Sequence, residues 1–284
     1  MVATAEPKTK TNKKDEALEK VERGVKQLLN SDNWAQWLKL QAQFHDYSFS
    51  NVLLILQQYP TATQVAGYRA WQKLGRQVRE GERGIKILAP IKKKIVEEDE
   101  YGEQHTSYPI VGYKTVTVFA LEQTEGEPLP EVCSPLQGDD RGLIESLSRF
   151  SQFNGVPVAF RDTGDAHGRC RFDRERNPVE IAVSDADEPL QQAKTLAHEI
   201  AHSILHSAEE YASHTTTSVK EVEAESTAYV VLDAFRLDTS GYSFGYIASW
   251  GEGDEAIKAV RSSGQRIQSA ANRIIDFVES ESSG

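Results

Sequence analysis

The stretch TLAHEIAHSILH, from Thr195 to His206, constrains the fold of this chain more than any other part of its sequence. On a helix each residue advances about 100°, so His198, Glu199 and His202 fall on one side of the stretch. Its leucine, isoleucine and alanine residues fall on the opposite side, which would face a core. Two histidines one turn apart can hold one metal ion, and a glutamate beside the first can activate water. The stretch therefore predicts a packed helix with a metal-binding face.

A metal that keeps an open position needs a third protein ligand. His206 is too distant, because residues i and i+8 are separated by about 12 Å along a helix axis, and we expect it beside the site or at the surface. The segment KEVEAESTAYVVLDAF offers Glu221 and Glu225 on one face with apolar residues, while Glu223 points the other way. Because a carboxylate on an apolar face needs a partner, we predict Glu221 as the third ligand and Glu225 as the carboxylate that orients a ligand histidine. The sequence permits these two roles to be exchanged.

Overall composition excludes several classes of protein. The 284 residues carry a net charge of -11, so the chain is not basic as a whole. It has no apolar run of about 18 residues and no apolar signal-peptide core, and we expect a cytoplasmic protein that does not enter a membrane. Cys133 and Cys170 lack the spacing of a cysteine-rich zinc site, so we expect two reduced thiols, with a disulfide between them as the alternative. No pattern predicts an oligomeric state.

The most marked change of composition along the chain occurs at residues 122–139, where proline, glycine and acidic residues cluster. We predict an α+β protein with two domains: a basic leader at 1–14, an N-terminal domain at 15–121, a linker at 122–139 and a C-terminal domain at 140–281. The first domain should have four helices, the second of them capped by Asp32, followed by a β-hairpin over 75–91, an exposed loop over 96–108 and a strand over 113–121. The second should have a helix at 142–153, three short strands, and helices at 188–207, 218–236 and 254–280.

Positive charge is concentrated between Arg69 and Lys94, where nine basic residues face two acidic ones. Phosphates are met by lysine and arginine and bases stack on aromatic rings, so a basic segment with interleaved aromatic residues favours single-stranded nucleic acid. The residues predicted to bind DNA are Tyr68, Arg69, Trp71, Lys73, Arg76, Arg79 and Lys86. The alternative is that Tyr68 and Trp71 belong to the core and the charges form a solvated face.

Beyond these patterns, the motifs resemble known families. HEIAH followed by EVEAESTAY resembles the gluzincin-like metallopeptidases of the ImmA/IrrE class, in which the glutamate that opens the downstream motif is the third zinc ligand; this implies that role for Glu221. Residues 49–91 and the segment DTSGYSFGYIASW at 238–250 resemble the ArdC-like antirestriction proteins, over residues 15 to 280 in all. The resemblance implies an N-terminal domain that binds single-stranded DNA and a zincin-like peptidase domain with Zn²⁺ or another divalent transition metal. It also implies a cytoplasmic, plasmid- or phage-associated protein that protects DNA from restriction.

The leading hypothesis is therefore a single-stranded-DNA-binding protein with a zinc-dependent peptidase domain, in which Glu199 takes a proton from water. The resemblance to the ImmA/IrrE class implies a repressor or other regulatory protein as the substrate. The main alternative is a DNA-binding protective protein whose metal domain is structural and not proteolytic. A metal-dependent nuclease is the weaker third hypothesis, because paired acidic sites for two magnesium ions are not evident.

Overall fold

The computed structural model describes residues 13–98, 104–127, 142–207, 215–239, 242 and 253–282. The chain divides into two compact units whose segments alternate along the sequence. Unit 1 comprises Met1–Gly24 and Leu53–Pro128, and unit 2 comprises Val25–Val52 and Leu129–Gly284. In the described part of the chain, no helix combines the length and the apolar character that crossing a membrane requires.

The predicted helices are present with small shifts at their ends. In chain order the α-helices are α1 (Lys13–Gln27), α2 (Ser31–Gln43), α3 (Phe49–Gln58), α4 (Tyr68–Lys73), α5 (Leu143–Phe153), α6 (Pro189–Leu205), α7 (Thr217–Ala234) and α8 (Gly253–Ser282). The cap of α2 differs from the prediction. The side chain of Asn30, and not that of Asp32, accepts hydrogen bonds from the backbone N–H groups of Asp32 and Asn33, at 2.9 and 3.3 Å. The helix therefore begins at Ser31, two residues earlier than an Asp32 cap would allow.

The strands are short, apart from two that dominate unit 1. In chain order they are β1 (Val65–Ala66), β2 (Arg76–Val78), β3 (Ile85–Lys92), β4 (Ile95–Glu98), β5 (Gln104–Ser107), β6 (Ile110–Ala120), β7 (Thr124–Gly126), β8 (Val158–Phe160), β9 (Gly168–Phe172) and β10 (Pro178–Val183). With the helices, they confirm the predicted α+β class.

Unit 1 is built around β6, which pairs antiparallel with β1 on one side and with β3 on the other. Successive side chains of a strand point to opposite faces, so one face of β3 and β6 can be apolar throughout. Ile85, Ile87, Val118 and Ala120 supply that face and are all buried. The strong strand predicted from the β-branched sequence of residues 113–121 is thus the centre of the sheet.

Two predictions for unit 1 are wrong. Residues 75–91 do not form a hairpin, because β2 pairs with β7 and β3 pairs with β6. The predicted loop over 96–108 contains β5 and most of β4, which pair antiparallel with each other. Strand β7 also lies within the first residues of the predicted linker; residues 128–139 of that linker lie outside the described residues, as do residues 1–12 of the predicted leader.

Unit 2 has a three-stranded sheet in the order β8-β10-β9, with β8 parallel and β9 antiparallel to β10. Residues 181–183 of the central strand are buried, and each fully buried Ile or Val side chain contributes about 1.5–3 kcal/mol. Helix α6 packs on β9 and β10 and also contacts α7 and α8. Helix α2 packs on α7, where Trp34 is buried and its Nε1–H donates to Ser226 Oγ at 3.0 Å. The site-bearing helices α6 and α7 are therefore held on several sides.

Candidate functional site

Helix α6 carries the histidine motif and owes its position to an apolar face. Pro189 occupies its first turn, where a missing N–H costs nothing, and the helix ends at Leu205. Leu196, Ala197, Ile200 and Ala201 are buried to 1% exposure or less. This face fixes the helix in unit 2 and leaves the two motif histidines only half-buried on the opposite side.

Two histidines and one glutamate converge at the surface of α6. His198 Nε2 and His202 Nε2 lie 3.0 Å apart, and the Glu221 carboxylate approaches them at 3.4 and 3.6 Å respectively. One ligand atom from each of these residues lies within 4.8 Å of the others. Two imidazole nitrogens and a carboxylate oxygen are a donor set that zinc and similar divalent metals accept. The three residues therefore fit a single divalent metal ion.

Glu225 lies on the other side of His198. Its Oε2 is 3.0 Å from His198 Nδ1, and its Oε1 is 3.3 Å from Lys194 Nζ. The same lysine nitrogen lies 3.9 Å from the centre of the Tyr242 ring. On the sequence alone Glu221 and Glu225 are interchangeable, but this geometry favours Glu221 as the ligand and Glu225 as the carboxylate that orients His198. Lys194 and Tyr242 belong to the surroundings of the site and have no signal in the motif.

Glu199 lies against strand β9. It is 9% exposed, and the backbone N–H of Cys170 donates a hydrogen bond to its carboxylate. Burial raises the pKa of Glu199, and the charges of His198 and His202 only partly oppose this. A carboxylate with a raised pKa, next to two imidazoles that could hold a metal, is suited to accept a proton from water.

Electrostatic coupling within the cluster is strong. Burial acts to lower the pKa of His198, but hydrogen bonds to Glu221 and Glu225 outweigh it and raise this pKa to about 9. Hydrogen bonds from His198 and His202 hold the pKa of Glu221 well below its usual range. The carboxylates thus create a place for positive charge, which a divalent cation can occupy.

The structure corrects the prediction for Glu223, and it excludes the surface position that the sequence allowed for His206. Each of these two residues is 2% exposed, and His206 Nε2 lies 3.1 Å from Glu223 Oε2. His206 also approaches His202, with 2.9 Å between their Nδ1 atoms. Helix α8, which the wheel of α7 does not take into account, supplies Ser263 Oγ to Glu223 Oε1 at 2.6 Å. The face of α7 that was expected to point away is buried because α8 packs on it.

The residues predicted to bind DNA are divided by the structure. Tyr68 is 41% exposed, and Arg69 and Lys73 are also exposed on α4. Trp71 is 1% exposed and its Nε1–H donates to the carbonyl of Phe119 at 2.9 Å, so its ring is not available to a base. This corrects the role predicted for Trp71 and places it in the core, as the alternative reading held.

The remaining basic residues of the predicted set have partners within unit 1. Arg76 Nε donates to Thr124 Oγ1 at 2.8 Å, and Arg79 pairs with Glu82 at 2.8 Å and also donates to the carbonyl of Glu122. Lys86 Nζ donates to Thr117 Oγ1. These side chains stabilise the β2–β7 and β3–β6 pairs.

Two aromatic residues of β6 were missed by the sequence reasoning. The Phe119 ring lies edge-on to Tyr68, with 6.3 Å between ring centroids. Tyr113 has the same parity in the strand and therefore lies on the same face, where it is 48% exposed. The alternation of YKTVTVF carries this information, because its odd-numbered positions from 113 to 119 point to the face opposite the buried Val118.

Comparison with known families gives two consecutive matches, the first of which includes residues 25–52 of unit 2. Residues 7–119 match the N-terminal domain of the anti-restriction factor ArdC, and residues 153–240 match the IrrE N-terminal-like domain, a peptidase family. These two matches confirm the predicted resemblance to ArdC-like antirestriction proteins, with an ArdC-type N-terminal domain followed by an IrrE-like domain. The predicted zincin-like, HExxH-containing C-terminal domain is consistent with this ArdC-like architecture. The 238–250 segment of the earlier resemblance lies outside the described residues except at 238, 239 and 242.

Relatives and solved structures extend the ArdC-like match over most of the chain. An uncharacterized protein of Bacillus anthracis is 25% identical over 96% of this chain, which spans about half (53%) of that relative's length. The metal-free crystal structure of the antirestriction ArdC protein from the R388 plasmid has a TM-score of 0.54 at 19% identity, covering 91% of this chain and 97% of that one. Its Mn(II)-bound structure has a TM-score of 0.53 at 18% identity, with the same coverage. At this identity the likeness shows a shared fold.

Proposed function

We propose that unit 2 is a divalent-metal-dependent peptidase and that unit 1 binds single-stranded DNA, within an antirestriction or DNA-protection role. The observation that supports the peptidase most directly is the convergence of His198, His202 and Glu221 next to the buried Glu199. Zinc is our first choice of metal because the donor set is that of zinc hydrolases, and the Mn(II)-bound ArdC neighbour supports manganese as the alternative.

In this proposal each residue has one task. A bound metal would supply a Lewis acid that polarises a peptide carbonyl. His198, His202 and Glu221 hold it, Glu225 fixes the ring of His198 through Nδ1, and Glu199 accepts a proton at its carboxylate and passes it on. Strand β9 donates its Cys170 N–H to Glu199 and so keeps this carboxylate beside the ligands.

The peptidase is tested by separating metal binding from turnover. Wild type, Glu199→Gln and the double variant His198→Ala/His202→Ala would be loaded with zinc or manganese, and their metal content measured by elemental analysis. Each protein would then be incubated with a library of proteome-derived peptides, and new termini identified by mass spectrometry. We expect Glu199→Gln to keep about one metal per chain and lose cleavage by at least about 100-fold, the lower range for a general base. The exposed Glu175→Gln is the matched control and should cleave like wild type.

The rival function, a protective DNA-binding protein with a structural metal, predicts a different pattern. Metal would be present in wild type and lost in the double variant, but no protein would cleave peptides and Glu199→Gln would protect DNA as well as wild type. Cleavage that survives unchanged in Glu199→Gln would contradict the peptidase mechanism proposed here.

The DNA-binding part of the proposal rests on the exposed face of unit 1 that carries Tyr68, Phe119 and Tyr113 together with the exposed cations Arg69 and Lys73. Rings with a free face stack on any base, and cations meet phosphates regardless of sequence. The match of residues 7–119 to the ArdC N-terminal domain supports DNA as the partner. The proposed stacking residues thus become Tyr68 and its neighbours on β6, without Trp71.

This is tested with fluorescence anisotropy on a labelled oligothymidylate longer than the roughly 4–16 nucleotides that one single-strand-binding module covers. The variant Arg69→Ala/Lys73→Ala should weaken binding and reduce the slope of log K against log salt by about 1.4, since each lost phosphate contact removes about 0.7. Tyr68→Ala should weaken binding without changing that slope. Lys26→Ala/Lys258→Ala removes two exposed cations of unit 2 and serves as the control. If both double variants lose the same affinity for DNA, the assignment of DNA binding to this face is wrong.

A further inference from the structure

A buried chain of polar groups continues from His202 away from the metal-binding face. It runs from His202 Nδ1 to His206 Nδ1 at 2.9 Å, and from His206 Nε2 to Glu223 Oε2 at 3.1 Å. Glu223 then meets two residues of α8: Ser263 Oγ donates to its Oε1 at 2.6 Å, and an Arg266 guanidinium nitrogen lies 3.5 Å from its Oε2. His206, Glu223 and Ser263 are 2–3% exposed, so these hydrogen bonds lie in the interior of unit 2.

We propose that His206 and Glu223 are positioning residues that fix the metal-binding tautomer of His202, and that α8 completes this device. The inference rests on the proposed metal site, in which His202 uses Nε2. It adds a role for two residues of the motif region, and for a helix that lies C-terminal to both family matches.

The direction of each hydrogen bond in this network follows from the fact that a neutral imidazole carries one ring proton. If His202 offers the lone pair of Nε2 to a metal, its single ring proton is on Nδ1 and must be donated to an acceptor. Only His206 Nδ1 lies at hydrogen-bond distance there among the contacts of the described residues, so His206 accepts with Nδ1 and carries its own proton on Nε2. That proton is donated to Glu223, which as a carboxylate can only accept.

The opposite tautomers would be costly in this environment. A His206 that donates from Nδ1 to His202 would turn the lone pair of Nε2 toward Glu223 Oε2, so that two acceptors face each other in a buried place. Ser263 and Arg266 keep Glu223 an acceptor, because both donate toward it. The network therefore selects the tautomer of His202 that presents a lone pair to the metal.

The two ligand histidines are supported in different ways. His198 meets a carboxylate directly, through Glu225 at the margin of the site. His202 Nδ1 is connected to a carboxylate through His206, and that carboxylate, Glu223, is held by residues of α8. Helix α8 is held close to this point, because Ala270 packs with Ala201, Leu205 and Ala224 and Arg266 donates to the carbonyl of Leu205.

The test uses the full chain and measures metal affinity. The dissociation constant for Zn²⁺ would be determined by competition with a chromophoric chelator, and the ligand field would be read from the visible absorption of Co²⁺-loaded protein. His206→Phe, which removes the acceptor, should weaken Zn²⁺ binding about 10–100-fold and alter the Co²⁺ spectrum. His206→Gln retains an acceptor and should restore part of the affinity, and Ser263→Ala should give a smaller loss than His206→Phe. Ser151→Ala removes a buried serine hydroxyl of α5 that bonds a backbone carbonyl and is the matched control.

Each outcome has a definite meaning. A His206→Phe protein that folds and keeps wild-type affinity and spectrum overturns the inference and leaves the metal site standing. If His206→Phe fails to fold, His206→Gln and Ser263→Ala decide, and equal affinity in Ser263→Ala, His206→Gln and Ser151→Ala overturns it. A wild type that binds no metal, or binds it equally in His198→Ala/His202→Ala, overturns the proposed function itself.

Discussion

Gly168 determines how closely strand β9 approaches helix α6. A Cβ atom at this position would lie 2.4 Å from Thr195 Cγ2 and 2.9 Å from the carbonyl oxygen of Ala182 on the neighbouring strand. Gly168→Ala would have to push β9 away from the helix, and we expect a loss of about 1–3 kcal/mol in the free energy of unfolding, as for other overpacked sites. Urea denaturation followed by circular dichroism measures it.

Gly112 provides the comparison within a strand of unit 1. A Cβ atom there would meet nothing within 4 Å, so Gly112→Ala should leave stability unchanged or raise it by up to about 1 kcal/mol through a less flexible unfolded chain. A Gly168→Ala protein that is as stable as Gly112→Ala would show that β9 does not need this close approach.

Cys170 lies on the same strand, and burial raises the pKa of its thiol to about 12, with the charge of Glu199 acting in the same direction. Below that pH the thiol is protonated, and the thiolate is the reactive form. In a Cys133→Ser background, native Cys170 should therefore resist iodoacetamide at pH 8.5, while the same protein in guanidinium reacts fully. Mass spectrometry of the alkylated chain gives the extent, and rapid reaction of the native protein would contradict the burial.

At the scale of the residue, the sequence predicts well those features that depend only on neighbours within one helix. The i and i+4 spacing of His198 and His202 places both on one face wherever the helix packs. The burial of Trp71 and the pairing of Glu223 depend instead on β6 and α8, which are remote in sequence. An aromatic side chain or a carboxylate on a helical wheel does not reveal which of its sides another element will cover.

Among the elements, the start of α2 makes a clear prediction. Asn30→Ala removes an acceptor for two backbone N–H groups and should cost about 0.5–2 kcal/mol, as measured for other caps. Asp32→Ala removes only a charge in the first turn, an effect of about 0.3–1 kcal/mol that salt screens. Thermal unfolding of both variants at low and high salt separates the two, and a larger effect for Asp32→Ala would support the cap predicted from sequence.

Strand existence was easier to predict than strand partnership. The β-branched run of β6 identifies a strand by itself, but β2 finds β7 across more than 40 residues and not the adjacent β3. Hairpin signals report turns between neighbours, so a strand that pairs at long range looks the same in the sequence. The prediction of a loop at 96–108 is wrong because an acidic composition is typical of loops, whereas β4 and β5 form a short antiparallel pair there.

At the scale of the molecule, metal binding should stabilise unit 2 and leave the stability of unit 1 nearly unchanged. A ligand that binds only the folded state stabilises it by about 2.7 kcal/mol at 100 times its dissociation constant. Amide hydrogen exchange measured with and without zinc should slow in α6, α7 and α8 and change little in β3 and β6. Equal slowing in both groups of elements, or none in α8, would contradict the placement of the site.

The sequence suggests two domains joined by a linker at 122–139, whereas the compact units interleave, since residues 25–52 belong with the C-terminal segment. Composition marks where a chain changes character and does not show that an early segment packs with a late one. Nothing in the composition of α2 identifies α7 as the helix on which its buried tryptophans pack.

The bond between Trp34 and Ser226 joins residues separated by 192 positions. During synthesis at about 5–20 residues per second, the ribosome needs roughly 10–40 s to make that interval. For that time α2 has been translated and α7 has not, so the indole that later lies in a core must be shielded by something else or remain in water. Unit 2 therefore cannot complete its core until α7 has been synthesised. A slowed ribosome would lengthen the time for which α2 is exposed to proteases.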